Sequence, residues 1–165
     1  MTQMQRITTC LWFDNQAEEA VQFYTSIFKN SKILHVFRYG EAGYEIHGQP
    51  AGQINFIDFE LDGQTFTAMN GGPFFKFNEA ISLQVHCATQ AEVDYYWEKL
   101  SEGGDENAQQ CGWLKDKYGL SWQVIPMELL ELINDPVSPR SQRVYTRMLQ
   151  MKKLDIVELR HLYET

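Results

Sequence analysis

The stretch that decides the fold is ISLQVHCATQAEVDYYWEKL, residues 81–100, because an earlier part of the chain repeats its pattern. The earlier copy is ITTCLWFDNQAEEAVQFYTSI, residues 7–27, and the tripeptide Gln-Ala-Glu occupies matching places in both. In each copy the apolar residues alternate with period two and then recur at helical spacing, which predicts a strand followed by a helix. The repeat therefore indicates two related modules.

The two predicted strands each have one apolar and one polar face. The apolar faces comprise Ile7, Thr9, Leu11 and Phe13 in the first copy, and Ile81, Leu83 and Val85 in the second. Thr89 is a good helix N-cap in the second copy, and Asp14 or Asn15 is the candidate in the first. Glu92 and Glu18 follow at capping-box distance, so we expect both helices to be capped locally.

A second repeated motif follows each of the two copies. The segments DGQTFT, residues 62–67, and YGLSWQ, residues 118–123, each predict a glycine turn followed by a strand. Together with strands at residues 54–61 and 109–115, they predict an α+β fold of two βαβββ modules, whose curled mixed sheets enclose a cavity. The corresponding division is residues 1–73 for the first module, 74–126 for the second and 127–165 for a C-terminal helical extension.

Composition restricts the class of protein. The chain has 165 residues, 44% hydrophobic and 13% aromatic, which suffices for a sizeable core. Its net charge of −8 argues against a nucleic-acid partner. Three cysteines match no zinc or disulfide pattern, and the N-terminus has no signal-like organisation, so we expect a reduced, cytoplasmic protein. No apolar run is long enough for a membrane span.

The strand faces turned away from the helices would line the enclosed cavity. They are rich in aromatic and neutral polar side chains, which suits a small, largely uncharged or aromatic ligand. Cys111 is expected to face the same space if its strand keeps a regular register. The candidate ligand-binding residues are Thr8, Trp12, Thr67, Met69, Phe75, Gln84, His86, Trp113 and Gln123.

Four segments resemble a known family over nearly the full length of the chain. They are LWFDNQAEEAVQFYTSIF, NGGPFFKFNEAIS, QCGWLKDKYGLSWQVIP and MLQMKKLDI. They are similar to the PhnB-like branch of the vicinal oxygen chelate superfamily, also called the glyoxalase and bleomycin-resistance superfamily. This branch is often labelled a demethylubiquinone methyltransferase. The resemblance implies paired βαβββ modules and a homodimer, often with modules exchanged between chains.

Enzymes of this superfamily bind a divalent metal through His and Glu at the starts of the first strands and late in the last strands of both modules. By this resemblance the corresponding positions are Arg6 or Thr8, Thr67, Ala80 or Ser82, and Gln123. None of these residues is a histidine or a carboxylate, the ligands that such metals require. No strand is followed by the glycine-rich turn that a nucleotide-like cofactor would use. We therefore expect neither a metal nor a cofactor.

Two residues are candidates for catalysis. His86 is the best available general base, because its ordinary pKa is near 6.5. Cys10 would be a nucleophile if adjacent first strands bring it close to His86. No third orienting group is recognisable, so the sequence favours a binding protein over an enzyme.

Three hypotheses follow. The leading one is a cytoplasmic, metal-free homodimer that holds a small apolar or aromatic molecule in the sheet cavity. Trp12, Trp113 and Phe75 would stack on the ligand, and Gln84, His86 and Gln123 would orient it. The alternative is a metal-dependent enzyme of glyoxalase or dioxygenase type. The third is a dimeric interaction protein whose helical tail binds a partner.

Overall fold

A computed structural model describes residues 5–165, which form two compact units that meet in sequence at Lys76 and Phe77. The first unit contains a four-stranded mixed sheet in the order β1-β4-β3-β2. β1 runs parallel to β4, and the other neighbouring strands are antiparallel. Its elements are β1 (Thr9–Phe13), α1 (Ala17–Ile27), β2 (Lys32–Arg38), α2 (Tyr44–His47), β3 (Ile54–Leu61) and β4 (Gln64–Asn70).

Helix α1 covers one face of the first sheet. Its apolar side chains recur at helical spacing, and Ala17, Ala20, Val21, Tyr24 and Ile27 are buried. They pack towards β3 and β4, whose alternate residues are buried in turn. Because a strand directs successive side chains to opposite faces, the other half of each strand is left on the face without a helix.

The second unit repeats this plan with one strand fewer. Its sheet has the order β5-β7-β6, with β5 parallel to β7 and β6 antiparallel to it. The α+β fold class is confirmed, and both sheets are open. The elements are β5 (Ser82–Cys87), α3 (Gln90–Ser101), a 3-10 helix (Glu106–Ala108), β6 (Trp113–Lys115), β7 (Ser121–Pro126), α4 (Met127–Leu132), α5 (Pro139–Met148) and α6 (Ile156–Glu164).

The predicted strand over residues 109–115 is wrong in extent, because the chain reverses direction within it. Gln110 and Trp113 exchange two backbone hydrogen bonds, and Cys111 and Gly112 between them have φ values of 54° and 82°. This is the positive-φ geometry of a tight hairpin turn. Cys111 therefore packs against the C-terminal helices rather than on the open sheet face, contrary to expectation.

The C-terminal helices have an apolar core of their own. Its buried residues are Leu129, Leu132, Val144, Met148, Met151, Leu154, Ile156 and Leu159. The backbone of residues 151–152 accepts hydrogen bonds from the N–H groups of Cys111 and Gly112, and the Gln90 side chain bonds to Leu154 and Ile156. The extension is thus fastened to the second sheet and to α3. The three-part division of the chain stays a prediction.

The ends of the repeat differ from expectation. Ile7 and Ile81 are 88% and 71% exposed and precede their strands, so neither belongs to the core. Thr89 caps α3 as predicted, accepting a hydrogen bond from the Glu92 N–H while the Glu92 carboxylate accepts one from Ala88.

No helix within residues 5–165 is long and apolar enough to cross a membrane.

The predicted local cap of α1 is wrong, because a residue distant in sequence, at the end of the neighbouring strand β4, caps the first helix. Its N-cap position is Gln16, which makes no side-chain cap. Instead the buried Asn70 Oδ1 accepts a hydrogen bond from the Ala17 N–H at 2.9 Å. Asn70 Nδ2 donates to the Ile54 carbonyl at 3.2 Å, and the Asn70 carbonyl accepts from the Tyr39 hydroxyl at 2.7 Å. One residue therefore joins α1, β3 and β4.

Replacing Asn70 tests this cap. We expect Asn70→Ala to lower the free energy of unfolding by about 1–3 kcal/mol, because it leaves a buried N–H and a buried carbonyl unpaired. Urea unfolding followed by tryptophan fluorescence measures the change. The control is Asn15→Ala, an exposed position that the sequence proposes as the cap, where we expect a change within about 0.5 kcal/mol. A larger loss from Asn15→Ala than from Asn70→Ala would contradict the assignment.

Candidate functional site

The open face of the first sheet carries an apolar row across all four strands. The register places Trp12 beside Met69, Met69 beside Phe56, and Phe56 beside Phe37. The Phe37 and Phe56 rings stack, with centroids 5.1 Å apart and planes 11° apart. Such a row offers flat apolar surface to a ligand.

A polar row runs beside it, one pleat away. It places Cys10 next to Thr67, Thr67 next to Asp58, and Asp58 next to His35. The Thr67 hydroxyl donates to Asp58 Oδ1 at 2.6 Å, which orients the carboxylate. Among the interactions of the described residues, Asp58 Oδ2 receives no hydrogen bond. This oxygen can therefore accept a hydrogen bond from a molecule that lies on the apolar row.

The Cys10 thiol is a poor nucleophile in this setting. Its pKa is raised, first by burial and then by the negative charge of Asp58. Burial also raises the pKa of Cys111, and it raises that of Cys87 to about 12, with a smaller contribution from Glu92. Since the thiolate is the reactive form, these environments disfavour covalent chemistry at any of the three cysteines.

Trp12 is fixed at the edge of the apolar row. Its indole Nε1 donates to the Gly72 carbonyl at 2.9 Å, and its ring meets that of Phe75 edge-on, with centroids 4.9 Å apart. Phe75 is 65% exposed, so it extends the aromatic surface outward. A Cβ added to Gly71 would lie 2.1 Å from the Trp12 ring. Glycine is therefore required at position 71 for Trp12 to adopt this place.

The open face of the second sheet is more polar. Gln84 lies beside Gln123, and Gln123 beside Trp113. Gln123 Nε2 donates to the Ser82 hydroxyl at 2.7 Å, and its Oε1 faces Gln84 Nε2 at 3.4 Å. His86, which is exposed, pairs across the sheet with Ile125. The neutral amides and the imidazole provide hydrogen-bonding groups for a ligand.

The predicted site residues fall into two groups. Trp12, Thr67, Met69 and Phe75 lie together in the first unit, and Thr8 is exposed one residue before β1. Gln84, His86, Trp113 and Gln123 lie on the open face of the second sheet. In the described residues β1 pairs with β4 and β5 with β7, so neither sheet joins Cys10 to His86. The catalytic roles of these two residues stay predictions.

The open face also carries aromatic and acidic residues that were not predicted as site residues, among them Phe37, Phe56 and Asp58. Their signal is present in β3, where Phe56, Asp58 and Glu60 alternate with buried Ile57, Phe59 and Leu61. The alternation places the carboxylate on the open face. Its hydrogen bond to Thr67 depends on strand register, which the sequence does not state.

The residues at the superfamily's metal positions do not fit a divalent metal. The Thr67 hydroxyl is bonded to Asp58, and the Gln123 amide is bonded to Ser82. Neutral hydroxyls and amides are weak ligands for such ions. Within residues 5–165 no group of three or more His, Cys, Asp and Glu side chains lies close enough together to hold a metal ion.

A unit in which the first and last strands pair in parallel, with a helix on one face and an open opposite face, defines the vicinal oxygen chelate fold. The family model described as 3-demethylubiquinone-9 3-methyltransferase matches residues 5–125. A Bacillus cereus structure titled a putative 3-demethylubiquinone-9 3-methyltransferase, PhnB protein, is 37% identical with a TM-score of 0.64. The match covers 74% of this chain and 99% of that one. The chain therefore belongs to this family, the PhnB-like branch of the vicinal oxygen chelate superfamily.

Other solved structures are more distant. A Staphylococcus aureus protein is 30% identical, with a TM-score of 0.34, over 74% of this chain and 97% of that one. A Pseudomonas aeruginosa protein is 17% identical, with a TM-score of 0.57, over 74% and 98%. The latter shares the fold. No curated protein matches the chain. Helices α4, α5 and α6 lie beyond the residues that the family model matches.

Gly71→Ala tests the fixed position of Trp12. The added methyl group overlaps the indole ring, so we expect the variant to unfold with a free energy about 1–3 kcal/mol lower than the parent. The Trp12 indole N–H resonance should shift as its bond to Gly72 is lost. Gly40→Ala is the matched control, because nothing lies within 4 Å of a Cβ there. An unshifted Trp12 resonance in Gly71→Ala would refute the arrangement.

Proposed function

We propose that the protein binds a small apolar or aromatic molecule against the open face of its first sheet, without the divalent metal of related enzymes. The observation that carries this proposal is the apolar row of Trp12, Met69, Phe56 and Phe37, which crosses the whole first sheet. Aromatic side chains on a face without a helix are unfavourable in water, and contact with a flat ligand buries them.

Polar groups beside the row would fix the orientation of the ligand. Asp58 offers one carboxylate oxygen, and Thr67 holds the other oxygen in place. The open face of the second sheet has hydrogen-bonding groups of its own, because Gln84 and His86 are exposed beside the bonded pair of Gln123 and Ser82. A mainly apolar surface with a few placed polar groups is the usual composition of a small-molecule site.

The alternative is a metal-dependent enzyme of glyoxalase or dioxygenase type. It would require imidazole or carboxylate donors where this chain has Thr8, Thr67, Ser82 and Gln123. The methyltransferase in the family description would require a site for a methyl donor. α1 and α3 are each preceded by a strand and a short turn without glycine. These residues support a binding function over either reaction.

We also propose a cytoplasmic homodimer. All three cysteines are free, which supports the cytoplasmic location because proteins in that reducing compartment rarely contain disulfides. The edge strand β2 exposes Ile33, Leu34, Val36 and Phe37, and such an apolar edge favours association with a second copy.

Binding of N-phenyl-1-naphthylamine, a neutral aromatic probe whose fluorescence rises in apolar surroundings, tests the proposed site. We expect Phe56→Ala to weaken binding about tenfold, because it removes the centre of the row. The matched control is Ile46→Ala, which removes an exposed apolar side chain from α2 and should leave affinity unchanged. Circular dichroism establishes that both variants are folded.

The same titration separates the proposal from its alternative. We expect the affinity to be the same before and after dialysis against EDTA, since no step of binding uses a metal. Equal affinities for Phe56→Ala and the parent would place the ligand elsewhere. Loss of binding after EDTA treatment would favour the metal-dependent alternative.

A further inference from the structure

The polar row on the first sheet carries a negative charge that its neighbours do not balance. Asp58 is half-buried in this row, between Thr67 on β4 and His35 on β2. Within residues 5–165 its carboxylate takes part in no ion pair. The Thr67 hydroxyl that donates to Oδ1 is neutral, so it orients the carboxylate without cancelling its charge.

The other ionisable groups near Asp58 leave this charge in place. Glu60, the next residue of β3 on the same face, pairs with Lys32 at 3.4 Å, so these two charges offset each other. At the β1 end of the row, burial and the charge of Asp58 raise the pKa of the Cys10 thiol, which therefore stays protonated and neutral. The net charge of the chain, −8, also attracts cations rather than anions.

Aromatic rings lie beside the carboxylate. Phe37 stacks on Phe56 with centroids 5.1 Å apart, and the centroid of the His35 ring is 6.3 Å from both. The face of an aromatic ring attracts a positive charge within about 6 Å of its centroid. A cation held by Asp58 would lie beside these rings, so the carboxylate and the rings favour the same sign of charge.

The spacing of the two rows determines where the charge lies on the ligand. Phe56 and Asp58 are two residues apart on one side of β3, which corresponds to roughly 7 Å along the strand. A flat ring in contact with Phe56 would cover part of this distance. An ammonium group joined to the ring through one or two carbon atoms would then reach Asp58 Oδ2, to which it can donate a charge-assisted hydrogen bond.

We propose that the ligand of the first sheet is an arylalkylamine, whose ring lies on the apolar row and whose ammonium group bonds to Asp58. The class of ligand rests on the proposed function, since the ring must occupy the apolar row. Asp58 is then the residue that selects the charge of the ligand, and Thr67 positions its carboxylate. A ligand with a carboxylate of its own would be repelled, and a neutral ligand would gain only an ordinary hydrogen bond.

Three naphthalene probes that differ in charge test this selection. They are 1-naphthylmethylamine, which is positive in neutral solution, 1-naphthalenemethanol, which is neutral, and 1-naphthoic acid, which is negative. Isothermal titration calorimetry at low ionic strength should show that the parent binds the amine about five- to tenfold more tightly than the alcohol, and the acid most weakly. Added sodium chloride should reduce the advantage of the amine, because salt screens charges.

Asp58→Asn removes the charge but keeps the shape of the side chain and an oxygen that accepts from Thr67. It should reduce the ratio of the amine and alcohol affinities to about one. The matched control is Asp62→Asn, which removes an exposed carboxylate from the turn between β3 and β4. Asp62 has a φ of 47°, which asparagine tolerates, so this variant should keep the ratio of the parent.

The outcomes separate this selection from the proposed function. Equal affinities of the parent for the amine and the alcohol would overturn the selection by charge, while binding of the alcohol would still support the proposed function. A ratio that Asp58→Asn leaves unchanged would also overturn it. Failure of both probes to bind would overturn the proposed function and the ligand class with it. If Asp58→Asn does not fold by circular dichroism, the three probes and their salt dependence decide on the parent alone.

Discussion

Parallel pairing of the first and last strands is the constraint on which both units depend. β1 joins β4 and β5 joins β7, and parallel neighbours require a crossover connection, which α1 and α3 begin. The helix covers one face of its sheet. The antiparallel strands complete the sheet. The opposite face is left without a helix, so its side chains do not pack against one. The same pairing aligns Trp12 with Met69 and Gln84 with Gln123.

The two units secure this arrangement by different means. In the second unit a threonine and a glutamate near the start of α3 form a local capping box. In the first unit the cap comes from Asn70, which is 53 positions away from Ala17 in sequence. Asn70 lies at the end of β4, so the hydrogen bond also fixes where the sheet meets the helix. Replacement of Asn70 would therefore disturb both the cap of α1 and the junction between the sheet and the helix.

Sequence patterns predicted those parts of the structure that depend on local periodicity. The strand and helix of each repeat, the hairpin at Asp62 and the cap at Thr89 are of this kind. The cap from Asn70 was missed because its partner is distant, and the reversal at Cys111 because a cysteine with positive φ is rare. On the open face of the first sheet, the sequence predicted the positions of the β1 and β4 residues, whereas the place of Asp58 beside Thr67 depends on the register of β3 against β4.

The chemistry of the open faces links the fold to the proposed function. Superfamily enzymes place metal ligands on these strands, but here the hydroxyl of Thr67 and the amide of Gln123 bond to neighbouring side chains instead. The result is an aromatic surface bordered by hydrogen-bonding groups. The C-terminal helices add a second apolar core to this family plan.

The metal content of untagged protein, purified without chelator and measured by mass spectrometry, tests the central claim most directly. We expect fewer than about one transition-metal ion per ten chains, because the donors at the superfamily positions are too weak. A content of about one ion per chain would contradict it, since structural and catalytic sites of this kind bind stoichiometrically.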